Sequence, residues 1–164
     1  MPVMAVSITK KILEWIMIMV RKSRKTDLPK IALLSKEFEQ EFCCNGVVCD
    51  DEKFFQDKSV FVAEENNEII GYGYGVFEIK KHSSPFYNVE EKCFYIEEMY
   101  VSKNFRNNGV GGKLFAELEK YAKENKADFI ELSATSKDYK KLLSFYIEKL
   151  NLTFWSAQLY KRLK

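Results

Sequence analysis
Two glutamates, Glu97 and Glu98, stand side by side in the otherwise apolar run CFYIEEMYV, and shortly after it the chain reads RNNGVGGKL from Arg106 to Leu114. Each stretch carries groups suited to chemistry. A carboxylate can take up a proton or hold a cation, and two of them are costly to bury in a strand without partners. Simple alternation along that strand points them to opposite faces. In the second stretch, three of the chain's seven glycines precede AELEKYAKENK, a run with helical character. A helix N-terminus offers unpaired backbone N–H groups and about half a unit of positive charge, and glycine lets that backbone approach a phosphate with no Cβ in the way. Arg106 and Lys113 are expected to add mobile charge at the rim. A tight strand-to-helix turn explains one of Gly109, Gly111 and Gly112; three are more than a turn requires.

Two familiar phosphate loops do not fit. A Walker A loop needs Ser or Thr after Gly-Lys, and Leu114 follows Lys113; the position five before Gly112 is Asn107 rather than glycine. A dinucleotide fingerprint begun at Gly109 meets Leu114 in place of its third glycine, and one begun at Gly71 meets Val76.

The surrounding elements follow from spacing. Ile16 to Arg21 reads as a first strand. Thr26 or Asp27 can cap a helix with Pro29 in its first turn, and Ile31, Leu34, Phe38 and Phe42 continue at helical intervals. A second, short helix begins near Cys49 on acidic residues. SVFVAEENNEIIGYGYGVFEI reads as two strands hinged at Asn66 and Asn67, with Gly71, Gly73 and Gly75 on one face; a bulge or a close-crossing helix is the plainest use for them. After the polar loop KKHSSPFYNVEEK come the glutamate-bearing strand, the glycine stretch, a helix to about Asn125 and the strand DFIELSA. The helix SKDYKKLLSFYIEKL and one or two strands in LTFWSAQLYKRL close the chain. Strands alternating with helices after residue 93 imply a mixed sheet with helices on its faces.

Composition limits the alternatives. The 164 residues are 46% hydrophobic and carry a net charge of only +2, which suits one compact domain and lacks the basic field of a nucleic-acid binder. Cys43, Cys44, Cys49 and Cys93 have no zinc-ligand spacing, so no metal is expected, and reduced thiols suit a cytoplasmic chain. WIMIMV is too short for a membrane span, and residues 1 to 15 lack the order of a signal peptide; they are read as an extension of unknown role before a single domain over 16–164.

Arg106, Gly109 and Gly111 form RxxGxG between a strand and a helix. With VRKSRKTDLPKI, ENNEIIGYG and SFYIEKLNLTF, the chain resembles the GNAT superfamily of N-acetyltransferases from about Met19 to Tyr160. Asn151 stands where that family usually has glycine, a substitution suited to a left-handed helix cap. The resemblance implies an α/β fold with a mixed, mostly antiparallel sheet of six to seven strands, a V-shaped splay and about four helices. It implies acetyl-CoA as co-substrate, with the backbone of Met99, Tyr100 and Val101 pairing with the pantetheine arm. Asn107, Asn108, Gly109, Val110, Gly111 and Gly112 would hold the pyrophosphate, with Arg106 opening the motif. A strand bulge of the family's type would bring Glu97 and Glu98 together.

YIEEMYV is also similar to the acidic pair of spermidine/spermine, streptothricin and aminoglycoside acetyltransferases, which implies a cationic small-molecule amine as acceptor. An alkylammonium with a pKa near ~10.4 must lose a proton before attacking a thioester. Glu97 is the expected water-mediated base and Glu98 the amine-binding residue. Tyr146 occupies the position of the tyrosine that meets the departing sulfur, while Tyr139 replaces an asparagine that touches the coenzyme in many members. Direct transfer in a ternary complex is expected. Alternatives are a covalent route through Cys93 with His82, a protein lysine or N-terminal acetyltransferase, and a non-catalytic acyl-CoA sensor. Homodimers are common in the family.

Overall fold
The computed structural model describes residues 18–159 and 161–163. In chain order these residues form β1 (Met19–Lys22), a 3-10 turn, α1 (Leu28–Gln40), α2 (Glu52–Phe55), β2 (Val60–Glu65), β3 (Glu68–Ile79), β4 (Lys92–Val101), α3 (Val110–Glu124), β5 (Phe129–Leu132) and α4 (Tyr139–Ser144), which runs on into a π-helical turn, Phe145–Lys149. The sheet order is β1-β2-β3-β4-β5, antiparallel except for the parallel β4–β5 pair that α3 connects.

Local chemistry accounts for the joints. Asn66 and Asn67 have φ of 50° and 64°, the left-handed pair that a two-residue hairpin between β2 and β3 requires. Pro29 sits in the first turn of α1, and Asp51 caps α2 by accepting from the Phe54 N–H at 2.9 Å. Asn151 has φ 59°, so asparagine does provide the left-handed residue after the last helix.

The two faces of the sheet carry separate cores. Phe61, Ala63, Ile70, Phe94 and Ile96 pack under Val110, Leu114, Leu118 and Ala122 of α3. On the other face Val60, Val62, Tyr72, Tyr74 and Tyr100 meet Ile31 and Leu34 of α1 and Phe55 of α2. The strand glycines serve two neighbours: a Cβ on Gly73 would lie 3.1 Å from Leu118 Cδ1 of α3, whereas one on Gly71 would lie 2.7 Å from the Tyr100 carbonyl and one on Gly75 would press on Phe94 and the Tyr95 carbonyl, all on β4.

Five strands stand among the described residues rather than six to seven, because residues 151–159 form none. Phe154 and Trp155 are adjacent and break the two-residue alternation a half-buried strand needs. Trp155 instead packs sideways against Phe86 and Tyr87, with ring centroids at 4.9 and 5.6 Å. The first strand begins at Met19; Ile16, Met17 and the extension expected over residues 1 to 15 lie outside the described residues.

Candidate functional site
β4 pairs with β5 only from Cys93–Phe129 to Ile96–Leu132, while its pairing with β3 continues to Val101. Residues 97–101 therefore have β3 on one side and an open edge on the other, which is the expected splay. The Ser102 N–H donates to Ile70 O on β3 at 2.9 Å. Main-chain groups alternate in direction along a strand, so those of Tyr100 face β3 and those of Met99 and Val101 face the open edge. Of the three strand residues expected to pair with a ligand, Met99 and Val101 have the geometry for it. The Val101 carbonyl already accepts from Arg106 Nε at 2.8 Å.

The bulge is present at the glutamates. Tyr74 pairs with Glu98 and Gly75 with Ile96, leaving Glu97 unpaired between them. Both carboxylates then share one neighbourhood with Asp50, whose field reaches them both. Glu98 accepts a short hydrogen bond from the Tyr72 hydroxyl. Burial, with further contributions from Asp50 and Glu97, holds its carboxyl above the usual range despite that bond. Glu97 is more open and forms an ion pair with Lys58 at 3.1 Å. Asp50 is anchored through its N–H to the buried Ser35 hydroxyl at 2.9 Å, and burial raises its carboxyl as well.

The glycine stretch is built differently from its sequence reading. Asn107 and Gly109 both have positive φ, 65° and 81°, and Gly109 is the N-cap of α3. No side chain caps that helix, and its first internal bond is Lys113 N–H to Gly109 O at 3.1 Å, so the amides of Val110, Gly111 and Gly112 have no partner within the helix. The Val110 side chain is buried in the core, and Asn107 and Asn108 are exposed. A Cβ on Gly111 would lie 3.1 Å from the Phe145 ring, whereas one on Gly112 would meet nothing within 4 Å. Gly109 thus serves the turn, Gly111 admits Phe145, and Gly112 faces open space.

The two cations are not mobile charge at the rim. Arg106 donates from Nη1 and Nη2 to the two oxygens of Glu41, both at 2.8 Å, and its guanidinium lies 5.3 Å from the Tyr100 ring centre. Lys113 Nζ donates to Ile18 O at 3.0 Å. Their charge is committed to holding the loop and the start of β1.

Tyr146 comes to the same end of the sheet through its neighbour Phe145, whose ring lies 5.1 Å from its own and against Gly111. Its hydroxyl has no hydrogen-bond partner among the described residues, and burial, then the nearby Cys44, push the phenol up to about 12. Cys44 is fixed by a β-bridge to Ser136 and interacts electrostatically with Arg106 as well. Tyr139 is exposed. The covalent alternative has no geometry: Cys93 is fully buried, its thiol pushed up to about 11, and the single histidine, His82, lies exposed on the loop after β3.

Two groups result, Glu97 and Glu98 with Asp50 and Lys58, and the glycine loop with Arg106 and Tyr146. Tyr100 joins them, since its ring lies 6.1 Å from that of Tyr72 and its hydroxyl donates to Glu41 at 2.5 Å. The roles of Lys58 and Cys44 are not marked in the sequence; Glu41 and Asp50 belong there to an acidic group, with Glu37, Glu39, Asp51 and Glu52, on two helices that the family resemblance puts beside the acceptor entrance, although such a run usually marks a solvated face.

The model of the acetyltransferase (GNAT) family matches residues 21–151. Among curated proteins none matches. Among solved structures the chain is similar to the aminoglycoside acetyltransferase meta-AAC0020 from an uncultured soil metagenomic sample, with 24% identity, TM-score 0.67 and coverage of 90% of this chain and 97% of that one. It is similar to aminoglycoside N-acetyltransferase AAC(6')-Iy in complex with CoA, with 16% identity, TM-score 0.68 and coverage of 88% and 93%. It is also similar to a predicted acetyltransferase with acetyl-CoA from Clostridium acetobutylicum, with 23% identity, TM-score 0.64 and coverage of 90% and 97%. With an RxxGxG loop at an uncapped helix beside a splayed strand, and a family match across most of its length, the chain belongs to the GNAT family, as an acetyl-CoA-dependent N-acetyltransferase.

Proposed function
We propose that this protein transfers the acetyl group of acetyl-CoA to a primary amine of a small cationic molecule, directly within a ternary complex. The observation that carries the reading is the uncapped N-terminus of α3 beside the open edge of β4, with the bulged acidic pair on the same strand. The amides of 110–112 suit a diphosphate, and the open edge at Met99 and Val101 suits an amide-bearing arm. The co-substrate supplies an activated thioester; what remains for the chain is to orient it and move protons.

Glu98 suits the base. Its carboxyl is raised toward the working range, where proton acceptance is more effective, and Tyr72 fixes its orientation. Glu97 already holds an ammonium and suits binding of the cationic acceptor. This exchanges the roles the sequence resemblance implies for the two. Tyr146, with its phenol near 12 against ~8.5 for a thiol, would give up its proton to the departing sulfur at a cost of about 5 kcal/mol, so a hydrogen bond to the developing thiolate is its role.

Calorimetric titration with acetyl-CoA, followed by thioester-consumption assays with a polyamine, an aminoglycoside and a basic peptide, tests the reading. Binding plus amine-dependent consumption with crossing double-reciprocal plots supports it. Absence of coenzyme binding overturns it, parallel plots overturn direct transfer, and turnover of the peptide alone overturns the small-molecule acceptor.

A further inference from the structure
Lys58 stands in the turn after α2, and its ammonium lies in a corner made by two aromatic rings. Nζ is 4.4 Å from the Phe54 ring centre and 5.2 Å from that of Tyr74, and the two rings meet at 74° with centroids 5.9 Å apart. An ammonium over aromatic faces beside a carboxylate is the arrangement proteins use to hold alkylammonium ligands. The hold on Lys58 is incomplete. Of three possible donations it makes one, to Glu97 Oε2 at 3.1 Å, and its side chain remains 23% exposed. The charges around it do not balance either: Asp50, Glu97 and Glu98 share the neighbourhood, and among the described residues neither Asp50 nor Glu98 has a cationic side chain in an ion pair.

We infer that the Phe54–Tyr74–Glu97 corner is an acceptor-specificity site that Lys58 fills as a resident ammonium, which an acceptor carrying a second ammonium group displaces while its reacting amine lies at Glu98. The inference rests on the amine-acetylation reading. It adds the charge class of the acceptor: a diamine or polyamine rather than a monoamine. Lys58 competes with the distal ammonium for the same rings and carboxylate, so native affinity for a dication is held down by the chain's own side chain.

The test uses Lys58→Met, which keeps an apolar stem and removes the charge, with Lys58→Gln as a second variant. Calorimetry with 1,4-diaminobutane and with n-butylamine is run on the full chain without coenzyme. Diamine binding at least tenfold tighter in either folded variant, with n-butylamine changed less than threefold, supports displacement. Reversal of that gain by Glu97→Gln on the variant background supports the location. Unchanged or weaker diamine binding, or loss of fold in both variants, makes Lys58 a structural cation and overturns the inference. A parallel acetyl-CoA titration separates the two readings: if coenzyme fails to bind native protein the acetyl-transfer reading falls, whereas coenzyme binding with no diamine gain removes the specificity role alone.

Discussion
Arg106, the first residue of the glycine loop, grips Glu41 just past the end of α1 with both guanidinium arms, each at 2.8 Å. A carboxylate at a helix C-terminus lies at the negative end of the helix dipole, so Glu41 is tolerated there because Arg106 and the Tyr100 hydroxyl hold it. The pair ties the end of α1 to the loop proposed to bind phosphate.

Glu41→Ala therefore removes the carboxylate that accepts from both half-buried Nη groups of Arg106 and from the buried Tyr100 phenol, leaving the guanidinium only its Nε bond to Val101 O. The expected loss is about 2 kcal/mol, a fall in Tm of roughly 4–8 °C. Burial alone would raise the Glu41 carboxyl, but the hydrogen bonds from Arg106 and Tyr100 outweigh it and hold the group below its usual range. A depressed carboxyl stabilises the fold fully above its unfolded pKa of ~4.3, and that stabilisation is lost as pH falls through the folded value. Thermal melts should accordingly show the gap between native and Glu41→Ala protein narrowing below about pH 4. A gap independent of pH would mean that the ion pair contributes nothing.

Gly112 gives the cleanest probe of the loop. Valine at Gly109 is strained by φ of 81°, and any side chain at Gly111 presses on Phe145, so both changes disturb the fold as well as a ligand. Alanine at Gly112 meets nothing within 4 Å and replaces glycine inside a helix, which stabilises by about 0.5–1 kcal/mol. Gly112→Ala should raise Tm while raising the acetyl-CoA Kd at least tenfold by titration calorimetry. Unchanged affinity would move the phosphate site off this turn.

What could be read beforehand was what is local. The Asn66–Asn67 hairpin, Pro29 in the first turn of α1 and the left-handed Asn151 each follow from a residue's own backbone preference. The motif Arg106, Gly109, Gly111 marked the turn into α3 but not the separate duties of its glycines, since Phe145 arrives from a distant helix. Arg106 and Glu41 are 65 residues apart, and Lys58 and Glu97 are 39 apart; nothing in the spacing of either pair announces the contact. The bulge at Glu97 is expected from the family resemblance alone; alternation in CFYIEEMYV does not show it, because the break lies in pairing register rather than in composition.

Glu98→Gln separates the two glutamates. With its carboxyl raised above the usual range, the acid limb of kcat/KM should lie above the ~4.3 of a free glutamate, activity falling as protonation removes the base. The glutamine variant should lose at least a hundredfold in kcat/KM and lose that limb with it. In Glu97→Gln the limb should remain, with the loss appearing mainly in the acceptor KM. The opposite pattern in a pH–rate series would restore Glu97 as the base.

Tyr146→Phe removes one oxygen and leaves the ring that packs on Phe145. Since the hydroxyl has no partner among the described residues, its loss strands no protein group and Tm should move by less than about 2 °C. Hydrogen bonding to charge that develops on sulfur acts in the transition state, so kcat should fall tenfold or more while acetyl-CoA Kd changes less than threefold. The phenol near 12 stays protonated throughout the assay range, so the native rate should show no basic limb from this group below about pH 10. An unchanged kcat in the phenylalanine variant, measured at saturating amine, would take Tyr146 out of the mechanism and return it to the packing of the last helix.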